Sequence, residues 1–248
     1  MPDVIATHDL TRRFGSFTAV DRITVGVREG EIYGFLGANG AGKTTAIRML
    51  CGLLRPTAGS GHVAGFDIMR QSAKIRTRIG YMSQTLSLYA DLTMRDNLEL
   101  YGALYGLTRR EIRLRIEEFG AFLGITGFLR RRTGDLPRGW QQRLSLACAN
   151  LHRPAVLFLD EPTGSVDPVS RRRFWELIQL LARGGTTVFV TTHHMDEAEY
   201  CDRVSLMAAG AIVVVDSPAA LKKRFDCSSL GEVFVRALRK SDTTGGGA

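Results

Sequence analysis

The chain has 248 residues, 44% of them apolar and 23% charged, with a formal net charge of +8. That is an ordinary globular composition, long enough to bury the core of one large α/β domain or of a domain with a subdomain. Three things are not expected: Met1-Pro2-Asp3 has neither the basic start nor the apolar stretch of a secretory signal, the longest uncharged apolar run (204–215) is too short to span a bilayer, and the four cysteines form no C-x-x-C pair that would indicate a zinc site or disulfide framework.

Residues 4–10 and 19–27 read as strands, the second carrying Val20, Ile23, Val25 and Val27. The polar segment 11–16 between them predicts the turn of an antiparallel edge hairpin. Its one aromatic, Phe14, offers a face on which a base could stack, while composition alone favours a place in the core.

Residues 31–36 form a short apolar strand, followed by Gly37-Ala38-Asn39-Gly40-Ala41-Gly42-Lys43-Thr44-Thr45 and then a helical run from Ala46. The pattern is G-x-x-x-x-G-K-[ST] in the strand–loop–helix setting that a phosphate-binding loop requires. Its glycines let backbone N–H groups turn inward onto phosphate oxygens, and the helix behind adds partial positive charge. Asn39, Gly40, Ala41, Gly42 and Thr45 are therefore binding positions. Lys43 is placed to reach the outer phosphates, and the Thr44 hydroxyl to ligate Mg²⁺. A bound nucleoside triphosphate is the predicted ligand.

The loop helix ends near Gly52, residues 53–61 are turn-rich, and a strand (62–64), a helix (72–78) and another strand (79–82) lead to Ser83-Gln84. Residues 86–150 lack strand patterns and read as a helical insertion. Thr93–Asp96 and Thr108–Glu111 have capping patterns, and Ile112, Ile116 and Phe119 recur at helical spacing as a core or partner-docking stripe. Residues 155–159 and 186–192 are continuous apolar strands of the kind buried on both faces of a parallel sheet. A helix at 170–183, short strands at 204–207 and 211–215, and a helix at 218–225 complete the pattern. The tail from about residue 240 has a flexible composition. The basic runs 130–132 and 171–173 lack interleaved aromatics and read as solvated helix faces, so no nucleic-acid partner is expected.

The fold class is α/β: a phosphate-loop NTPase core with a mostly parallel sheet, an N-terminal antiparallel β-subdomain and a helical insertion subdomain. In such sheets ligands sit at the carboxyl ends of strands. Four ends carry suitable groups: the loop, Gln84, Asp160-Glu161 and His193. Asp160 after an apolar strand can hold Mg²⁺, and Glu161, pointing elsewhere, can act on an attacking water as general base. Gln84 can serve both metal and water. His193 can position the water or meet the γ-phosphate, while His194 beside it reads as structural.

Over about residues 4–238 these motifs resemble, in order and spacing, the nucleotide-binding subunit of ABC transporters. Phe14 falls at the aromatic A-loop, Gln84 at the Q-loop, Asp160 and Glu161 at Walker B with its catalytic glutamate, Asp167 in the D-loop and His193 at the switch histidine. Residues 192–199 (Thr-His-His-Met-Asp-Glu-Ala-Glu) and 136–143 are similar to the drug-export and antibiotic-resistance branch, in particular to the second ATPase half of tandem bacterial exporters. The resemblance implies one ATPase domain over 1–238. Its RecA-like core and antiparallel β-subdomain would come from 1–85 and 151–225, the helical subdomain with the signature from 86–150, and a C-terminal segment from 226–248. It also implies ATP and Mg²⁺ as cofactors, closure of two such subunits (homo- or heterodimer) over two ATP molecules, an integral membrane permease as partner, and a peripheral position on the cytoplasmic face of a membrane. In a family signature of L-S-G-G-Q, this chain has Pro137 for the serine and Arg138 for the first glycine, keeping Leu136 and Gly139. Proline suits the first residue of a helix but removes a hydroxyl and an N–H. Pro137, Arg138 and Gly139 would meet the partner's ATP in trans, Arg138 as a cation replacing lost donors. The D-loop reads Gly164-Ser165-Val166-Asp167 where S-G-x-D order is commoner. Competing readings are a soluble ATPase of the same superfamily in translation or repair, and a weakly hydrolysing regulatory subunit.

Overall fold

A computed structural model describes residues 3–85, 87–164 and 166–245, with side chains as far as residue 239. The chain opens with β1 (Asp3–Phe14), β2 (Phe17–Ile23) and β3 (Gly26–Arg28). β1 and β2 pair antiparallel with Phe14 opposite Phe17, so the predicted hairpin is present, but the predicted turn at 11–16 is strand as far as Phe14. Its polar residues find partners within the sheet: buried Thr11 donates to the Asp9 carbonyl and accepts from the Arg22 N–H. The single strand expected over 19–27 is two, because β3 breaks away from β2 to pair with the first half of β1.

Next come β4 (Ile32–Gly37), α1 (Lys43–Leu50), β5 (Ala58–Val63), β6 (Phe66–Asp67), α2 (Ser72–Arg78) and β7 (Ile79–Met82). The turn-rich segment 53–61 ends as strand rather than turn. β5 starts at Ala58, and its small residues let it lie against β1: a Cβ on Gly59, which has φ +84°, would come within 2.3 Å of the Asp9 carbonyl oxygen. The insertion is helical, as predicted: α3 (Met94–Leu104), α4 (Arg109–Phe122) and α5 (Arg138–Asn150), with complete capping boxes at Thr93/Asp96 and Thr108/Glu111. The chain finishes with β8 (Val156–Asp160), α6 (Pro168–Arg183), β9 (Thr187–Thr192), β10 (Arg203–Ala208), β11 (Ala211–Asp216), α7 (Pro218–Phe225) and α8 (Leu230–Gly245). α8 was not anticipated. It buries Leu230, Val233 and Ala237 and runs to Gly245 through the segment expected as flexible; residues 246–248 lie outside the described residues.

The strands form two sheets. One has the order β2-β1-β5-β6 with β3 beside β1; the other has the order β11-β10-β4-β9-β8-β7, parallel apart from the β10–β11 hairpin. Strand alternation gives the larger sheet two buried faces. Tyr33, Phe35, Val156, Phe158 and Phe189 face α1 and the antiparallel sheet, while Ile32, Leu36, Leu157, Leu159, Val188 and Val190 face the helices of the other layer. Phe189 anchors the first face, its ring centroid 5.4–5.6 Å from those of Tyr33, Phe35 and Phe158. The outcome that matters for chemistry is the order β4-β9-β8-β7. It sets the phosphate loop, His193, Asp160-Glu161 and Gln84 side by side at one edge of the sheet. No helix among the described residues is long and apolar enough to cross a membrane.

Candidate active site

The loop between β4 and α1 is shaped by its glycines. Gly42 has φ +104°, and a Cβ there would lie 2.3 Å from the Ala19 carbonyl oxygen of β2, so only glycine fits. Gly42 is also the N-cap of α1 and supplies no side chain to the first turn. The amide N–H groups that a cap would satisfy are left for a ligand at a helix end carrying partial positive charge. The loop is tied to the rest of the sheet by the Gly210 N–H donating to the Ala41 carbonyl, at 3.0 Å.

Lys43 is buried and curls back over this loop. Its ammonium donates to the carbonyls of Gly37 (2.8 Å) and Ala38 (3.1 Å) and pairs with Glu161 Oε1 at 3.2 Å. Glu161 is the meeting point of the site. Its second oxygen accepts from Gln84 Nε2 at 3.0 Å and lies 3.1 Å from His193 Nδ1, which carries the proton if it donates here. Its backbone is left-handed at φ +48°, unusual for a glutamate and costing about 1 kcal/mol. Its N–H is held by the Thr191 carbonyl (3.1 Å) and hydroxyl (3.0 Å).

Asp160 ends β8 and points at α1. One carboxylate oxygen accepts from Thr191 Oγ1 at 2.6 Å and from Thr44 Oγ1 at 3.3 Å; the other, Oδ2, is buried with no partner. Burial raises the Asp160 pKa, against the lowering effect of the two hydroxyls. An anionic oxygen without a donor, beside a threonine hydroxyl, suits a hard cation such as Mg²⁺, with remaining ligands from phosphate and water. Gln84 uses its amide nitrogen on Glu161, which leaves its Oε1 as the atom that would serve a metal.

Loop, Gln84, Asp160, Glu161 and His193 thus converge as the sequence predicts. The other predicted residues lie elsewhere. Phe14 is 46% exposed at the end of β1, with the Arg12 guanidinium 4.5 Å from its ring centroid. Pro137 is the N-cap of α5, one place before the helix rather than its first residue, so its carbonyl still accepts from the Trp140 N–H at 2.9 Å. Arg138 opens the helix, and with Pro137, Gly139, Arg143, Asp167 and Arg173 it lines a cleft of about 290 Å³. Asp167 caps α6 by accepting from the Ser170 N–H at 2.9 Å; the Ser170 hydroxyl, together with that N–H, holds its carboxyl below the ordinary range. The cleft therefore carries three guanidinium groups against one carboxylate already engaged. Ser165 of the D-loop lies outside the described residues.

Two residues have roles that the sequence reading did not give them. Thr191 holds both Asp160 and Glu161, and buried Glu197 binds two further threonines behind them. The only signal for Thr191 is a hydroxyl in an otherwise apolar strand. Glu197 falls in the 192–199 stretch that resembles the drug-export branch, but nothing local marks its contacts, because its partners come from three separate segments.

The ABC transporter family profile matches residues 20–164, and a second profile, described as an AAA domain, matches residues 135–197 only. The chain is 46% identical over 219 residues to the Escherichia coli protein named "Probable multidrug ABC transporter ATP-binding protein YbhF". That match covers 88% of this chain and 38% of YbhF, so the chain spans about two fifths of that relative's length. It is 35% identical to the ABC transporter ATP-binding protein NatA of Bacillus subtilis, across 95% of this chain and 98% of NatA. A bacterial ABC transporter cassette solved as a dimer superimposes with a TM-score of 0.77 at 25% identity, covering 86% of this chain and 98% of that one.

Proposed function

The chain belongs to the ABC transporter family of ATP-binding ATPases, and from that premise we propose that it is the motor subunit of an exporter, hydrolysing ATP to drive a membrane permease. The observation that carries the hydrolytic part is the convergence of Lys43, Gln84 and His193 on the Glu161 carboxylate. In this reading the loop N–H groups and Lys43 bind the β- and γ-phosphates and stabilise charge on the transferred phosphoryl. Thr44 and Asp160 would hold Mg²⁺, which would neutralise phosphate charge. Glu161, once released from Lys43, takes the proton of the attacking water. His193 and Gln84 orient that water and the γ-phosphate, and Phe14 stacks on the base. The exporter part rests on the likeness to proteins named for multidrug transport and daunorubicin resistance. It brings with it a second ATPase subunit, a permease partner and a peripheral place on the inner membrane face.

A second reading is favoured by one observation. Pro137 and Arg138 give this chain an unusual trans-acting face, which suits a heterodimer in which the partner's nucleotide is hydrolysed weakly. Arg138, in a cleft rich in guanidinium groups, supports instead a cation that engages the partner's γ-phosphate. The test is Mg²⁺-dependent ATP turnover by the purified chain, alone and with a membrane partner recovered by pull-down. ATP binding without turnover in either state ends the motor reading. Turnover that no membrane partner alters moves the chain to the soluble ATPases.

A further inference from the structure

Behind the Glu161–His193 pair lies a second carboxylate, Glu197, only 1% exposed. Its Oε1 accepts from the Thr163 hydroxyl and its Oε2 from the Thr192 hydroxyl, the latter at 2.7 Å. Arg171 of α6 places its Nε 3.4 Å from Oε1 and supplies the opposite charge. Two buried threonines and an arginine from three segments thus meet on one carboxylate that water does not reach. A buried charge of this kind persists only with its full set of partners.

The partners are the two segments that carry the reacting pair. Thr163 lies two residues beyond Glu161, in the turn where the Gly164 N–H donates to the Glu161 carbonyl at 3.3 Å. Thr192 immediately precedes His193, and its oxygen also accepts from the His194 N–H at 3.0 Å, so the backbone is pinned on both sides of His193. Contacts close a ring: Glu161 carboxylate to His193 ring, along the backbone to the Thr192 hydroxyl, across Glu197 to the Thr163 hydroxyl, and back along the chain to Glu161. One side of the ring is the 3.1 Å contact between Glu161 and His193; the opposite side is Glu197.

We infer that Glu197 is a positioning residue for hydrolysis: it sets the spacing of the Glu161 turn and the His193 turn, and so holds base and imidazole on the same attacking water. This rests on the reading of Glu161 as general base. A carboxylate does this where an apolar residue would not, because two hydroxyl donors on separate oxygens fix distance and direction together.

The test is a double-mutant cycle on ATP turnover in the full chain, using Glu197→Ala, Glu197→Gln and His193→Ala. Glu197→Ala should lower kcat by about tenfold or more while leaving the KM for ATP within about twofold. Glu197→Gln, which keeps a two-pronged hydrogen-bonding group, should lose less. With His193 already removed, Glu197→Ala should cost little more, since both act on one step. Losses that multiply independently, or a lowered Tm with kcat intact, overturn the role. Where Glu197→Ala does not fold, Thr192→Val removes one hydroxyl at constant volume and must show the same non-additivity. A wild-type chain that binds ATP without turnover would sink the hydrolysis reading and this role together. A hydrolysing wild type with additive losses would sink this role alone.

Discussion

Lys43 and Glu161 form a buried ion pair, Nζ to Oε1 at 3.2 Å, across the mouth of the phosphate loop. The ammonium has three donors, and all are engaged, by two loop carbonyls and Glu161. To reach a phosphate, Lys43 must give up one of them. The carboxylate is the acceptor that a triphosphate would replace, so nucleotide entry frees Glu161 for a water.

Glu161→Gln should therefore do two things at once. Turnover should fall by about 10²–10⁴-fold with loss of the base. ATP affinity should hold or rise by a few fold, because the neutral amide competes less for Lys43. Equilibrium ATP binding alongside a turnover assay reads both, and an affinity that falls with turnover would mean that Glu161 organises the loop rather than blocking it.

Phe14 gives a cleaner separation of binding from folding. Its ring is 46% exposed, so Phe14→Ala should leave Tm nearly unchanged. If a base stacks there, ATP affinity should fall by about tenfold, in line with about 1–3 kcal/mol per stacked base, and Phe14→Trp should restore it. Equal affinity in wild type and Phe14→Ala would place the base elsewhere.

Arg138 stands in a cleft with Arg143 and Arg173, where the one carboxylate, Asp167, is committed to capping α6. An anion would complete that arrangement. Arg138→Ala should lower turnover by about tenfold or more without weakening ATP binding to the chain's own loop, and Pro137→Ser should not mimic it. Unchanged dimer formation and turnover in Arg138→Ala would end the idea of a cation acting in trans.

His152 makes stability depend on pH. Its Nε2–H donates to the Ile79 carbonyl at 3.0 Å, its ring stacks on Tyr105, and Nδ1 is buried with no partner. Burial outweighs the carbonyl and lowers its pKa from 6.5 to about 4. Between those values the unfolded chain binds the proton and the folded chain does not, so stability falls as pH drops from about 6.5 towards 4. Urea unfolding of wild type and His152→Phe at pH 7 and pH 5 should show a smaller acid loss in the variant; parallel losses would assign the acid sensitivity to other groups.

Local signals carried much of the fold. α2, β7 and α7 occupy the residues that pattern and capping predicted, and both capping boxes formed, because each depends on neighbours within a few positions. The misread segments are those where partners are remote. Residues 11–13 are polar yet lie in a strand because β2 and β5 satisfy them, and residues 58–61 look like a turn because close approach to β1 requires small side chains.

The same division runs through the site. The phosphate loop could be read from residue types alone, since strand, glycines, lysine and threonine are contiguous and the backbone supplies most of the binding groups. Asp160-Glu161, Gln84 and His193 could be named as candidates from their positions after strands. Only the tertiary structure decided that β7, β8, β9 and β4 lie adjacent, that the Gln84 amide nitrogen donates to Glu161, and that Asp160 keeps one buried oxygen open. It alone revealed the contacts of Thr191 and Glu197. Hydrogen bonds and ion pairs act over about 3–4 Å, so a carboxylate's role depends on strand order and register, which bring together residues far apart in the chain.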